Sequence, residues 1–214
     1  MIADDLPKLT LQQFNELHKD YIIPLDIKID VENFKREIEP YRYKFRQWGT
    51  KYTEFPRYGI SLFNLTGSLD DDIDPSCWPL DQWWKEHPDK IYWDHDFNKA
   101  TELMELPSLD VLKVIEQYMV RSNILLWNAT GHFKPHIDMV SEYITHFRLW
   151  GVTTDDNGYT LKYGDKHIKG FEPGRLYLID TIKMHEAYAT EDDVFTFFLA
   201  VDIKSKELIE SLCI

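Results

Sequence analysis

Residues 129–140 read ATGHFKPHIDMV, and within them His136 and Asp138 stand two positions apart. In an extended strand, side chains at i and i+2 leave on one face, so this pair can offer an imidazole nitrogen and a carboxylate oxygen to one cation. A second histidine from another strand would complete three ligands on one side of the ion. His185 lies 49 residues after His136 in TIKMHEAY, just beyond the run RLYLID, so a meander can return it beside the pair. Two imidazoles and one carboxylate, with open positions opposite, are the donor set associated with non-haem Fe(II) oxygenases. The triplet alone decides nothing in an acidic chain with eight histidines, where a chance His-x-Asp is ordinary. His132 and His136 have the i, i+4 spacing of a zinc-binding helix, but Gly131 and Pro135 oppose a helix there. His95 sits in an aromatic loop with no evident partner. His18 and His87 read as surface residues of helical segments, and His167 as a solvated hairpin position.

Such a cluster needs strands to hold it, and the pattern changes to short strands near residue 120. The runs SNILLWN (122–128), FKPHIDMV (133–140), THFRLWGVTT (145–154), YTLKY (159–163), KHIKGF (166–171), RLYLID (175–180) and VFTFFLAVDI (194–203) are divided by turns such as Gly164-Asp165 and Pro173-Gly174. Seven short strands at this spacing predict a sandwich or jelly roll rather than a parallel sheet. Before residue 120 helical signals dominate. Thr10 caps a segment with apolar Leu11, Phe14 and Leu17, and Asp30 precedes VENFKREIE, whose Val31, Phe34 and Ile38 share a face. Ser108 caps LDVLKVIEQYMV, the clearest helical run. Two strand-like runs, YKFRQW (43–48) and YGISLFNL (58–65), interrupt this half, and 66–98 reads as a long packed loop with short helices.

Composition removes whole classes of function. The chain has 214 residues, 43% of them hydrophobic and 14% aromatic, which suits one packed domain. Lys and Arg total 24 against 37 Asp and Glu, a formal charge of −13. Phosphate binding relies on clustered cations, so nucleic acid and anionic membrane surfaces are poor partners. No apolar run reaches membrane-spanning length, and MIADDLPKLT lacks the blocks of a secretory signal. Cys77 and Cys213 have no metal-type spacing and read as free thiols, so a cytoplasmic location is expected.

Three stretches resemble one family, the aspartyl/asparaginyl β-hydroxylases with the related bacterial free-proline hydroxylases. TGHFKPHID resembles the family's Gly-x-x-x-Pro-His run. EPGRLYLIDTIKMHEAY resembles its Gly-led strand with a histidine eleven residues after the glycine, an interval that Gly174 and His185 keep. FFLAVDI resembles the closing apolar strand. The likeness covers about residues 120–205 well and the N-terminal half loosely.

The resemblance implies a fold that is mainly β with N-terminal helices and a double-stranded β-helix (jelly-roll, cupin-like) core. One domain would span 1–214, with 1–120 as a helical or mixed part packed on a catalytic core at 121–205. It implies an Fe(II)- and 2-oxoglutarate-dependent dioxygenase that uses O2 to hydroxylate an unactivated C–H bond of an amino acid side chain, free or in a peptide, and releases succinate and CO2. His136, Asp138 and His185 would be both the metal ligands and the catalytic centre. The family places an Arg on the final strand for the far carboxylate of 2-oxoglutarate, but Thr196 stands there in this chain. Arg148, twelve residues after His136, is the expected substitute, helped by Thr196 and with His146 as a further cosubstrate contact. Arg57 and Trp127 are the candidate substrate contacts. A cupin-like binding module without catalysis, or a metal-dependent hydrolase built on the same triad, are the competing readings.

Overall fold

The computed structural model describes residues 8–17, 20–47, 57–70, 74–138 and 143–214; His18, Trp48, Met139 and Val140 lie outside them. Two labelled strands come from the N-terminal half, β1 (Ile22–Lys28) and β2 (Tyr58–Asn64). Eight follow: β3 (Met119–Trp127), β4 (His132–His136), β5 (His146–Val152), β6 (Tyr159–Tyr163), β7 (Lys166–Ile168), β8 (Arg175–Ile179), β9 (His185–Ala189) and β10 (Val194–Asp202).

The larger sheet runs β1-β8-β5-β10-β3-β2 and the smaller β7-β6-β9-β4. From β3 onward the pairing nests: β3 with β10, β4 with β9, β5 with β8 and β6 with β7, all antiparallel. A long hairpin whose arms pair in this order and wind across two facing sheets is a double-stranded β-helix, within the jelly-roll class that the strand pattern predicts and in the form that the resemblance implies. Its tip is the two-residue turn Gly164-Asp165 between Tyr163 and Lys166, with Gly164 at φ +57, a backbone that glycine adopts at no steric cost.

Side-chain alternation sorts the strands into two cores. On β10, Phe195, Phe197, Leu199 and Val201 face the N-terminal layer, where Phe34 meets Phe195 and Phe197 edge-on at 5.4 and 4.9 Å between ring centroids. Phe34 belongs to a helix, α2 (Val31–Ile38), which follows α1 (Leu11–Leu17). Both helices start at the expected caps: the Asn33 amide donates to Asp30 Oδ1 at 3.1 Å and the Gln13 amide to Thr10 Oγ1 at 3.3 Å. The other faces of the large sheet meet the small sheet in a second core with Trp127, Trp150, Tyr159 and Tyr177. Among the described residues no helix is long and apolar enough to cross a membrane.

Three local expectations need correction. The run after Ser108 is not an α-helix but 3₁₀ turns over Pro107–Val114 and Glu116–Tyr118, and β3 already begins at Met119. Its buried residues explain this: Leu109, Leu112 and Ile115 follow one another at intervals of three, the period of a 3₁₀ helix rather than 3.6. Among the described residues of 43–48, Arg46–Gln47 alone pair as strand, after a 3₁₀ turn at Glu39–Lys44. Conversely, HEAYA at 185–189 is a strand that the sequence reading does not separate, because its two alanines and a glutamate have weak β preference.

Candidate metal centre

The decisive register is that of β4 against β9, where His136 and His185 are direct cross-strand partners. Opposed residues of an antiparallel pair share a face, and the two rings lie 4.4 Å apart, centroid to centroid. Strand pairing ends at His136. Asp138 is held by its backbone N–H, which donates to the Thr181 carbonyl at 3.1 Å just past β8, so the carboxylate turns back toward the two rings. His136 Nε2 is then 3.1 Å from Asp138 Oδ1, and His185 Nε2 is 4.0 Å from Asp138 Oδ2. One ligand atom from each of the three residues falls within 4.8 Å of the others.

The protonation states follow from the neighbours. His136 Nδ1 donates to the Lys134 carbonyl at 2.7 Å, and His185 Nδ1 donates to the Lys183 carbonyl at 2.9 Å. A carbonyl only accepts, so both rings carry a proton on Nδ1 and present Nε2 to Asp138. Burial lowers the pKa of His185, with His136 adding to the effect against the pull of Asp138, and this favours the neutral ring. Burial alone would raise the pKa of Asp138, but the adjacent His136 ring and the charge of Arg148 hold it below the usual carboxylate value. Lone pairs therefore converge on one point, and Asp138 Oδ2 is buried with no hydrogen-bond partner. A divalent cation satisfies all of them at once.

Facing this cluster from the larger sheet is a group of opposite character. Alternation on β5 turns His146, Arg148, Trp150 and Val152 into the barrel, while Phe147 and Leu149 join the N-terminal core. Arg148 is 6% exposed; its Nη2 lies 3.2 Å from Asp94 Oδ1, its guanidinium lies 5.0 Å from the Phe198 ring centroid, and its Nε has no partner. His146 Nδ1 lies 3.2 Å from Thr145 Oγ1, while its Nε2 is buried and unpartnered. Burial, then the charge of Arg148, pushes the His146 pKa down to about 3, so the ring is neutral. Arg121, from β3, donates to the carbonyls of Ser76 and Trp78 and pairs with Asp94 at 3.4 Å. Burial would raise the Asp94 pKa, but Arg148 and Arg121 hold it well below the carboxylate range.

The other expected residues go elsewhere. Thr196 does not join Arg148: it pairs with Val152 across β5, whereas Arg148 pairs with Ala200, four positions along β10. Its hydroxyl instead accepts from Trp127 Nε1 at 2.9 Å. That bond uses the one polar atom of the Trp127 side chain, and at 1% exposure Trp127 is core rather than a substrate wall. Arg57 reaches no member of the cluster directly. It donates to the His132 carbonyl at 3.0 Å and lies 3.6 Å from the Phe133 centroid, and Phe133 in turn stacks on His136 at 4.0 Å. Arg57 thus buttresses His136 through Phe133 rather than facing the cluster itself.

Asp94 and Arg121 are residues that the sequence does not single out, and His95, which shows no partner in the sequence, has one in the structure. A buried arginine near the start of the apolar strand MVRSNILLW and an acidic WDHDF run were the available signals. His95 is 9% exposed, with Nε2 3.4 Å from Asp202 Oδ2. It lines a cavity of about 690 Å³ together with Asn98, Met119 and Lys204, and none of the three cluster residues lines it.

No protein-family model matches the sequence, and no curated protein does. Among solved structures, the chain is similar to a prolyl hydroxylase from Trichoplax adhaerens in complex with a hypoxia inducible factor oxygen degradation domain peptide fragment, at 12% identity over 91% of this chain and 89% of that one, with a TM-score of 0.47. It is also similar to KdgF from Halomonas sp., at 15% identity over 40% of this chain and 70% of that one, with a TM-score of 0.31. Likenesses this distant leave the chemistry to be read from the residues themselves.

Proposed function

We propose that the chain is an Fe(II)- and 2-oxoglutarate-dependent dioxygenase, of the aspartyl/asparaginyl β-hydroxylase and free-proline hydroxylase kind, acting on an amino acid side chain that is free or in a peptide. The observation that carries this reading is the unpartnered Asp138 carboxylate oxygen among two Nε2 lone pairs, with an inward-facing arginine on the opposite sheet. His136, Asp138 and His185 would hold the iron, which when bound supplies the means to activate O2 at the expense of 2-oxoglutarate. The rest is the work of the chain. The carbonyls of Lys134 and Lys183 fix the two rings with Nε2 inward, and Phe133 packs His136 in place. Arg148, with a buried Nε to spare, receives the distal carboxylate of the cosubstrate, and His146 offers Nε2 beside it. Trp150, Tyr177 and Ile179 line the barrel and keep bulk water from the reacting groups.

A hydrolase would need a general base besides the ligands. The nearby carboxylates are engaged: Asp94 by Arg121 and Arg148, and Asp180 by Lys183 at 2.7 Å. The two free cysteines suit a reducing cytoplasm, and the acidic chain suits a small-molecule or peptide substrate rather than nucleic acid or membrane. The test is conversion of 2-oxoglutarate to succinate with Fe(II) and O2, with no other substrate added. Succinate formed by the wild type and lost in His185→Ala is the expected result. Fe(II)-independent turnover, or none in the presence of both metal and O2, contradicts the proposal.

A further inference from the structure

The arginine assigned to the cosubstrate is already in contact with a carboxylate from the protein. Asp94 is the first residue of a three-residue 3₁₀ turn, Asp94–Asp96, in the aromatic segment before β3. The same Oδ1 atom faces Arg148 Nη2 at 3.2 Å and Arg121 Nη1 at 3.4 Å. Charge-assisted hydrogen bonds are normally about 2.7–2.9 Å long, so one oxygen is stretched between two guanidinium groups and grips neither closely. Resting on the oxygenase reading, we infer that Asp94 is a specificity-determining residue that occupies Arg148 when the barrel is empty and yields it to the distal carboxylate of an incoming ligand.

Three features make exchange, rather than sharing, the physical outcome. A buried guanidinium without a counter-ion is costly, so Arg148 needs Asp94 while no ligand is bound. Two carboxylates on one largely buried guanidinium repel each other across a few ångströms of low dielectric, so an arriving carboxylate weakens the hold on Asp94. Asp94 also has somewhere to stay, because Arg121 is fixed independently by the carbonyls of Ser76 and Trp78. The turn is small and carries its own cap, the Trp93 amide donating to Asp96 Oδ2 at 2.8 Å, so it can shift as a unit. His95 rides on the same turn and lines the neighbouring cavity, so occupancy of Arg148 would be felt there.

The experiment uses the full chain loaded with Mn(II), and calorimetric titration with 2-oxoglutarate and, separately, with pyruvate, which lacks the distal carboxylate. Asp94→Asn is expected to bind 2-oxoglutarate roughly tenfold more tightly than the wild type, with pyruvate unaffected and the gain absent in an Arg148→Ala background. Equal or weaker 2-oxoglutarate binding in Asp94→Asn overturns the inference, as does a gain that pyruvate shares. Should that variant fold poorly, hydrogen exchange of the wild type decides. The Asp96 and Phe97 amides, which donate to Trp93 and Asp94 carbonyls, should lose protection when 2-oxoglutarate binds, and unchanged or higher protection contradicts the exchange. A wild type that binds 2-oxoglutarate but never forms succinate sinks the oxygenase reading alone. A wild type that turns 2-oxoglutarate over, but whose Asp94 variant binds no tighter, sinks this inference alone.

Discussion

The barrel carries two polar clusters at the same end, and they are short of opposite things. On the smaller sheet and the turn after it, His136, Asp138 and His185 aim acceptors at a common point, and a buried carboxylate oxygen has no donor. On the larger sheet, Arg148 and His146 are buried with nitrogens to spare, and Asp94 partners Arg148 through a single long contact. One cluster presents acceptors suited to a cation and the other presents donors suited to an anion. Under the proposed function, a ligand that reaches a metal through one carboxylate and an arginine through another would satisfy both clusters, as a dicarboxylate cosubstrate can.

The largest expected effect lies on the first side. His185→Ala or Asp138→Ala should weaken Mn(II) or Co(II) binding by more than about 100-fold in a chelator competition, because the proposed function makes these direct ligands and even groups behind a ligand contribute 10–100-fold. Arg148→Ala should leave that metal affinity unchanged; equal losses in both variants would erase the distinction between the clusters. The same Arg148→Ala variant should bind 2-oxoglutarate roughly 30-fold more weakly, the scale of one charged hydrogen-bonding partner.

A third expectation concerns pH. His146 has an ordinary value of 6.5 that burial pushes down to about 3 in the folded chain. Between those values the unfolded state binds a proton that the folded state refuses, so stability falls as pH drops from 6.5 toward 3. That single group should cost about 2 kcal/mol of unfolding free energy between pH 7 and pH 5. His185, shifted the same way, adds to the slope. Denaturant unfolding of His146→Asn at the two pH values should show a smaller difference than the wild type, and an identical difference would refute the assignment. The smallest effect is that of Thr196→Val. It should destabilise the chain by about 1 kcal/mol through the lost Trp127 bond and leave 2-oxoglutarate binding untouched.

What could be read from the sequence follows the same division. The His136, Asp138 and His185 cluster and the nested hairpins lie within residues 120–205, where short alternating runs mark most strands, while the β4–β9 register that brings His136 to His185 is visible only in the structure. The second cluster depends on Asp94, which arrives from a segment of 3₁₀ turns with no period to reveal which side chain points where. Arg148 was legible as an inward residue, but its partner was not. Position along a strand does not fix register, and four residues along β10 separate Thr196 from the point opposite Arg148. The run after Ser108 was misread because apolar residues spaced by three satisfy part of a helical pattern too.

The most direct test of the account asks whether the two clusters serve one ligand. Calorimetric titration of 2-oxoglutarate into metal-free and Mn(II)-loaded chain, both without O2, measures their linkage. The account expects binding to the loaded form to be at least about 100-fold tighter, with the advantage lost in Asp138→Ala. Equal affinity with and without metal would mean that the cation site and the arginine act on different molecules, and the joint reading would fail.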